Sequence, residues 1–265
     1  SWSAAGLSSF VRIDTADNVT TVTLDRPEAL NALSGAMAEE LTATFRRVSE
    51  DSATWVMVLA AEGEKAFCVG ADLKERAAFS LDDFYANRAQ IRGLFDSLRS
   101  VPQPTVASVF GFTLGGGFEL ALSCDLIVAA RGTRLGLPEA RVGLLPAGGG
   151  TQLLTRKVGT SRAKDLIFRG KQIDAERAQQ LGLVTEVCER DELRSHTLTV
   201  ARDVCRSSPV ATRAAKRAID GSLGVPLPQA IELENEAWKD VISSDDRLEG
   251  IRAFNEKRDP RWQNR

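Results

Sequence analysis

Apolar and polar positions alternate over residues 10–24, on either side of the pair Asp17-Asn18. Successive side chains of a β-strand point to opposite faces, so this alternation around two turn-forming residues predicts a β-hairpin. Apolar residues then recur every three or four positions, at Met37, Leu41, Phe45 and Val48. That spacing is typical of an amphipathic helix, so the hairpin is predicted to lead into a helix.

Three short apolar runs further along the chain predict strands that are buried on both faces. They cover residues 56–60, 105–110 and 126–129. A short helix is predicted over residues 118–123, and a longer amphipathic helix carries its stripe at Phe84, Ile91, Leu94, Phe95 and Leu98. Strands that alternate with helices in this way predict a layered fold of the α/β or α+β class.

The pattern changes beyond residue 192, where only helical spacing remains and three or four helices are predicted. Their apolar stripes contain Ala230, Ile231, Ala237, Trp238, Val241, Leu248, Ile251 and Phe254. Helices of this kind bury their apolar faces against the rest of the chain or against another subunit. We therefore expect the protein to form oligomers.

The chain has 265 residues, of which 43% are hydrophobic, and at about 150 residues per domain it is predicted to form one or two domains. Its 34 Lys and Arg residues are balanced by 36 Asp and Glu residues. Nucleic acids and anionic membranes attract proteins with a basic surplus, so neither is an expected partner. The longest uncharged stretch, residues 100–118, contains Pro102 and Pro104 and is predicted to be a buried strand and loop.

Sequence features also limit the compartment and the metal chemistry. No secretory signal is recognisable, so we expect a cytoplasmic protein, or a mitochondrial matrix protein if a transit peptide has been removed. The single histidine, His196, and the four widely separated cysteines have no metal-ligand spacing. No metal site is therefore predicted.

A run of three glycines, Gly115-Gly116-Gly117, leads directly into the predicted short helix, which carries Glu119. Glycine lets backbone N–H groups approach a ligand closely, and the first turn of a helix presents N–H groups without intrahelical partners. The segment is therefore suited to stabilising an oxyanion. It is equally suited to a close-packed loop, and a glutamate near a helix N-terminus is favoured by the helix dipole alone.

Two further segments offer chemistry that would complement this one. Glu139 lies in a largely apolar region and, if it meets Glu119, one of the two pKa values would be raised enough for acid–base catalysis near neutral pH. Residues 65–76 follow the strand at 56–60 and offer a second turn of glycine and small residues, hence a second backbone donor for a thioester carbonyl. Taken separately, these segments also fit a surface glutamate in a turn and an ordinary strand-to-helix turn.

Four motifs in order give this pattern a more specific meaning, because together they resemble the crotonase superfamily, and enoyl-CoA hydratases in particular. They are DRPEALNAL at residues 25–33, AFCVGADLK at 66–74, LGGGFELA at 114–121 and GGTQ at 149–152. The resemblance extends from about Phe10 to Trp262. Each motif alone is weak, whereas four in this order and spacing over nearly the whole chain are specific.

The resemblance implies an α/β fold with a spiral core of ββα turns and a helical C-terminal trimerisation region. We assign residues 1–205 to the core, with the active site, and residues 206–265 to the oligomerisation region. Such enzymes usually form trimers or dimers of trimers and act on acyl-CoA thioesters. No separate cofactor is implied, because coenzyme A enters as part of the substrate.

The resemblance also assigns roles to individual residues. The backbone N–H groups of Ala71 and Gly116 would polarise the thioester carbonyl, and Glu119 and Glu139 would hold and activate water, with base and acid left open. The implied contacts with coenzyme A are made by Arg26, Ala29, Leu30, Lys65, Ala71, Asp72, Leu73 and Lys74, and by Phe254 and Lys257 of a neighbouring subunit.

The expected reaction is the reversible hydration of 2-enoyl-CoA thioesters to 3-hydroxyacyl-CoA. Two alternatives within the superfamily are 3-methylglutaconyl-CoA hydration and enoyl-CoA isomerisation, and the presence of both glutamates weighs against the isomerase. From another class, the alternative is a non-catalytic acyl-CoA-binding or RNA-associated relative. The sequence departs from the usual Pro-Gly-Ala-Gly-Gly at Ala147, which adds a methyl group to a loop expected to border the catalytic water.

Overall fold

The computed structural model describes residues 9–265, so residues 1–8 of the predicted core lie outside it. The strands of this part are β1 (Val11–Ala16), β2 (Val19–Leu24), β3 (Val56–Ala61), β4 (Ala66–Cys68), β5 (Thr105–Val109), β6 (Phe112–Leu114), β7 (Leu126–Ala130), β8 (Arg134–Gly136), β9 (Gln172–Asp174) and β10 (Glu186–Cys188). The helices are α1 (Gly35–Glu50), α2 (Leu73–Arg76), α3 (Leu81–Arg99), α4 (Gly116–Ser123), α5 (Gly150–Val158), α6 (Thr160–Phe168), α7 (Ala175–Gln180), α8 (Leu193–Cys205), α9 (Pro209–Ser222), α10 (Leu227–Ile242) and α11 (Asp245–Glu256).

The strands form two sheets, which we call the large and the small sheet. The large sheet has the order β1-β2-β3-β5-β7-β10 and the small sheet the order β4-β6-β8-β9. From β3 to β8 the chain repeats one pattern, in which a strand of the large sheet is followed by a strand of the small sheet and then by a helix. This repetition is the spiral of ββα turns that the resemblance implies.

The hairpin predicted at the start is β1 and β2, paired from Val11 with Leu24 to Ala16 with Val19. Asp17 and Asn18 form its turn with φ values of 51° and 62°. A two-residue hairpin turn with positive φ at both positions matches the right-handed twist of the strands, and Asp and Asn tolerate that conformation better than most residues.

Both predicted amphipathic helices are present and pack against each other as α1 and α3. The N-terminus of α1 is capped by the Ser34 side chain, which accepts a hydrogen bond from the N–H of Met37, and α3 begins with a capping box between Ser80 and Asp83. The predicted stripe of α1 is buried, as is that of α3 from Ile91 onward. Phe84, at the start of the α3 stripe, is partly exposed instead and faces the cavity described below.

The helices after residue 192 occupy two kinds of position. Helix α8 packs across β3, β5 and β7 of the large sheet, whereas α9, α10 and α11 follow it and contact mainly one another. Most of the predicted apolar stripe of this last part lies exposed on the single chain; Ala237 is buried, but Trp238 is 56% exposed and Phe254 84%. Residues 9–265 by themselves therefore leave these faces uncovered.

The uncharged stretch from Ser100 to Phe118 contains β5, β6 and the first turn of α4, and most of it is buried in the core. The structure thus agrees with the buried strand and loop predicted from the prolines and glycines of this stretch. None of the helices among residues 9–265 has both the length and the apolar character needed to cross a bilayer.

Candidate active site

A cavity of about 400 Å³ lies between α3, the N-terminus of α4 and the short 3-10 turn Glu139–Val142. Its wall is largely apolar, with Ile91 and Phe95 among the side chains that α3 contributes. Ala71, Gly116, Glu119 and Glu139 all line it. Side chains that lie up to 68 residues apart in the sequence are thus brought to one enclosed space.

The backbone at Ala71 presents a free donor to this cavity. Leu33 donates its N–H to the carbonyl oxygen of Gly70 at 2.7 Å, and Asp72 donates its N–H to the carbonyl oxygen of Leu33 at 3.1 Å. This is one step of a parallel ladder, in which the residue between the two bonded positions directs its own N–H to the other side. The Ala71 N–H has no acceptor among the described residues.

The second donor is Gly116, the first residue of α4, whose N–H has no intrahelical acceptor. The loops of the two donors are in contact, since a Cβ atom placed on Gly70 would lie 2.7 Å from the Gly116 nitrogen. Gly70 also has a φ of +90°, so the close approach needs glycine for two reasons. Two unpaired N–H groups from separate loops form a site for a negatively charged oxygen.

Glu119 lies in the first turn of α4 and is only 3% exposed. Its Oε1 accepts hydrogen bonds from the N–H groups of Gly148 and Gly150, each at 2.8 Å. Burial raises the pKa of Glu119, while these two bonds and the positive charges of Arg88 and Arg99 act in the opposite direction. Oε2 has no hydrogen-bond partner among the described residues, so Glu119 keeps a free acceptor.

Glu139 begins the 3-10 turn that forms another part of the wall. Its Oε2 is buried and makes no hydrogen bond in the described part of the chain. Burial, and to a smaller extent the negative charge of Glu119, raise the pKa of Glu139 to about 7. The two glutamates therefore differ in their environments: Glu119 is anchored by two backbone donors that favour its carboxylate, whereas Glu139 has a free, buried carboxyl oxygen and a pKa near neutrality.

Two of the residues assigned by resemblance to coenzyme A bind each other. Arg26 donates from Nη1 to Asp72 Oδ2 at 2.7 Å and to the Ala32 carbonyl oxygen at 3.1 Å. Asp72 also caps α2 through its Oδ1. Burial raises the pKa of Asp72, but the bonds from Arg26 and from the capped backbone outweigh it and hold that pKa below its usual range. The side chains of Arg26 and Asp72 therefore hold the loop that carries Ala71 in place.

The remaining members of that set are more accessible. Lys65 and Lys74 are exposed, Leu73 lines the cavity at its mouth, and Ala29 and Leu30 are half-buried on the preceding loop. Phe254 and Lys257 are exposed at the end of α11 and do not line the cavity of their own chain. Their predicted role requires a second subunit and stays a prediction.

The structure adds residues that the sequence did not single out. Arg76, Asn87 and Arg88 line the cavity from α2 and α3, and the N–H groups of Gly148 and Gly150 hold Glu119. A glycine run was visible in the sequence, but nothing there showed which carboxylate it would face. Arg76 carried no signal at all, since an arginine next to a lysine and a glutamate is typical of an exposed helix.

The loop at Ala147 borders the cavity, as expected from the sequence. Its carbonyl oxygen accepts a hydrogen bond from Arg88 Nη1 at 2.6 Å. At the next position only glycine fits, because a Cβ on Gly148 would lie 2.3 Å from the Phe95 ring and 2.7 Å from Glu119 Oε2. The added methyl group is thus accommodated at residue 147 and would not be at residue 148.

No group of three or more His, Cys, Asp or Glu side chains among residues 9–265 is arranged to hold a metal ion. The chemistry that the described residues can supply consists of two backbone donors, an anchored carboxylate and a carboxyl group with a pKa near neutrality.

Comparison with known proteins extends this description. A model of the enoyl-CoA hydratase/isomerase family matches residues 14–265. The chain is 38% identical to the mitochondrial enoyl-CoA hydratase domain-containing protein 2 of Mus musculus, over 92% of this chain and 84% of that protein. It is 37% identical to the mitochondrial methylglutaconyl-CoA hydratase of the same species, over 90% and 77%. The crystal structure of an enoyl-CoA hydratase from Bacillus anthracis is similar with a TM-score of 0.94 at 38% identity, covering 97% of this chain and 100% of that one.

Proposed function

Because the chain belongs to the enoyl-CoA hydratase/isomerase family of the crotonase superfamily, we propose that it adds water reversibly to 2-enoyl-CoA thioesters, giving 3-hydroxyacyl-CoA. The observation that supports this reaction best is the pair Glu119 and Glu139, which line one cavity with a free carboxyl oxygen each. An isomerase moves one proton within its substrate, whereas hydration needs one group to activate water and another to protonate carbon. Two carboxyl groups in different hydrogen-bonding environments fit hydration.

In the proposed reaction, the thioester carbonyl oxygen lies against the N–H groups of Ala71 and Gly116. Attack of water on the β carbon moves negative charge onto that oxygen, and the two donors stabilise this enolate. Each donor of such a site contributes about 10²–10³-fold to the rate. Neither donor has to break a hydrogen bond to residues 9–265 first, because neither has an acceptor in that part of the chain.

The environments of the glutamates divide the proton transfers between them. Glu119 takes the proton of water, since the N–H groups of Gly148 and Gly150 stabilise its carboxylate and fix its position. Glu139, with its pKa raised to about 7, supplies the proton to the α carbon. The hydroxyl group and the proton that add to the double bond make one water, so nothing is oxidised or reduced. Before the next turnover Glu119 loses its proton and Glu139 regains one by exchange with solvent. In the reverse reaction the same groups exchange roles.

Addition of the protein to crotonyl-CoA is expected to remove the absorbance of the enoyl thioester and to give 3-hydroxybutyryl-CoA, with ¹⁸O from labelled water at the third carbon. Mass spectrometry of the product measures this directly. A product with the mass of the substrate and a displaced double bond would identify an isomerase instead. Tight binding of several enoyl-CoA thioesters without turnover would identify a non-catalytic acyl-CoA-binding protein.

The pKa of Glu139 sets the direction of the pH dependence. Hydration uses its acid form, so kcat/KM for crotonyl-CoA is expected to fall as the pH rises through about 7, by about tenfold per unit once the carboxylate predominates. Dehydration of 3-hydroxybutyryl-CoA also needs one proton on the glutamate pair, now on Glu119. Because the overall reaction neither takes up nor releases a proton, the ratio of the two kcat/KM values is the same at every pH, so kcat/KM for dehydration is expected to fall in parallel. Profiles of both directions over about pH 6 to 9 test this; a flat hydration profile would remove Glu139 from the role of acid.

We also propose that the exposed apolar faces of α10 and α11 are covered by other subunits in a trimer or a dimer of trimers. Support comes from the apolar residues that the single chain leaves uncovered there, including Trp238, Ile251 and Phe254. In that assembly Phe254 and Lys257 would reach the coenzyme A bound to a neighbour. We further propose a cytoplasmic location, with the mitochondrial matrix as the alternative because two similar mouse proteins are mitochondrial.

A further inference from the structure

Arg76 is an unusual side chain for the wall of an apolar cavity. It ends α2, lines the cavity and is half-buried. Its Nη2 donates a hydrogen bond to Oδ1 of the buried Asn87 at 3.0 Å. No carboxylate among the described residues forms an ion pair with it; the neighbouring Glu75 binds the N–H of Gly35 instead. One neutral amide is therefore the partner of a group with five N–H donors.

Two other arginines line the cavity, and they differ from Arg76 in both exposure and bonding. Arg88 and Arg141 are exposed to solvent. Arg88 donates to the carbonyl oxygen of Ala147, and Arg141 donates from Nε and Nη2 to that of Arg169. These contacts are typical of arginines that brace a loop at the rim. Arg76 braces no backbone and lies deeper in the wall.

A charge that is removed from water without an opposite charge destabilises the folded protein. Burial accordingly lowers the pKa of Arg76, with the charge of Glu75 opposing the effect. The guanidinium nevertheless stays protonated at neutral pH, because arginine starts from a very high pKa. An uncompensated guanidinium at the wall of a binding cavity is suited to a ligand that brings its own carboxylate, which it can bind with two parallel hydrogen bonds.

We propose that Arg76 binds a carboxylate at the far end of the acyl group, so that the preferred substrates are 2-enoyl-CoA thioesters of short dicarboxylic acids. This inference depends on the proposed hydration, because Ala71, Gly116 and the two glutamates mark where the reacting carbons lie in the same cavity. Water adds across the double bond as before, with its oxygen on the third carbon and a proton on the second. The distal carboxylate is bound and leaves unchanged.

The test compares two substrates that differ only at the distal end. Glutaconyl-CoA carries the carboxylate, and 5-methyl-2-hexenoyl-CoA carries an isopropyl group of similar shape in its place. The wild-type protein is expected to favour glutaconyl-CoA in kcat/KM by about 10- to 100-fold, the range of one charge-assisted hydrogen-bonding contact. In Arg76→Gln this preference is expected to disappear, and in Arg76→Lys to be partly retained because the charge remains.

Arg92→Gln is the matched control. Arg92 lies on α3, is largely exposed, pairs with Asp96 at 3.6 Å and does not line the cavity. Arg92→Gln is expected to leave the ratio of kcat/KM for the two substrates as in the wild type.

The outcomes separate this inference from the function on which it rests. The assignment of Arg76 is wrong if the wild-type protein has equal kcat/KM values for the isopropyl substrate and glutaconyl-CoA. It is also wrong if Arg76→Gln leaves the ratio of these two values unchanged, whatever the absolute rates. In both cases the proposed hydration itself still stands. If Arg76 binds the coenzyme A part instead, Arg76→Gln would weaken inhibition by free coenzyme A and would lower kcat/KM for both substrates alike. That result would also overturn the assignment of Arg76. If crotonyl-CoA and both test substrates are bound without hydration, the proposed reaction itself fails.

Discussion

Replacing Glu119 with glutamine is expected to lower kcat for the hydration of crotonyl-CoA by about 10²–10⁴-fold, the contribution of a positioned acid or base. The amide oxygen of glutamine can still accept the N–H groups of Gly148 and Gly150, so the loop should keep its place. The amide nitrogen then occupies the position of Oε2 and cannot take a proton from water. The measurement is the initial rate of absorbance loss, together with the thermal unfolding midpoint of the variant.

The matched control is Glu50→Gln, because Glu50 is exposed at the end of α1 and does not line the cavity. It removes one negative charge with the same chemistry and should leave kcat unchanged. Wild-type rates in Glu119→Gln would show that this carboxylate is not the base. A loss of rate accompanied by unfolding would instead point to its role as an anchor for the Gly148 loop, and circular dichroism distinguishes the two.

Replacing Gly117 with alanine is expected to remove activity and to lower the free energy of unfolding by about 3 kcal/mol, the upper part of the usual range for an overpacked core. A Cβ at this position would lie 2.0 Å from the carbonyl oxygen of Cys68 and 2.6 Å from its carbonyl carbon. Both are backbone atoms at the end of β4, so either β4 or α4 has to move. A shift of α4 moves the Gly116 donor and Glu119 together.

Denaturant titration at one fixed protein concentration measures this loss, and Gly93→Ala provides the control. Gly93 lies in α3, where an added Cβ meets no atom within 4 Å. Alanine there is expected to stabilise the protein by about 0.5–1 kcal/mol, because glycine costs a helix that much in backbone entropy. If Gly117→Ala were as stable and active as the wild type, the close contact between β4 and α4 would not constrain the donor loop.

The parts of the fold that could be predicted are those encoded by neighbouring residues. The hairpin follows from Asp17-Asn18 between alternating runs, and α1 and α3 follow from the spacing of their apolar residues. The α3 stripe forms one face as predicted, since Phe84, Ile91 and Phe95 all line the cavity, but spacing does not show where the packing partner of a helix face ends. The first turn of α3 reaches past the core and faces the cavity instead.

The candidate site depended on contacts that spacing does not contain. Glu119 and Glu139 were each ambiguous alone, and the resemblance to a family supplied their pairing. The anchoring of Glu119 by Gly148 and Gly150, and the presence of Arg76 in the same wall, arise because successive turns of the spiral stack on one another. The covering of the α10 and α11 faces depends on other subunits, so a single sequence can indicate only that some partner is needed.

The order of the small sheet has a consequence for how such a site can change. Strands β4, β6 and β8 are adjacent and parallel, and each is followed within three residues by a group of the proposed site: Ala71, Gly116 and Glu139, respectively. Adjacent strands lie about 4.8 Å apart, so the spacing of the strands determines the distances between these groups. Each group belongs to a different turn of the spiral, and only Glu139 acts through its side chain, so it is the one of the three that a substitution exchanges. A fold of this design can keep its carbonyl-binding donors while a substitution after β8 replaces the proton donor and so alters the reaction.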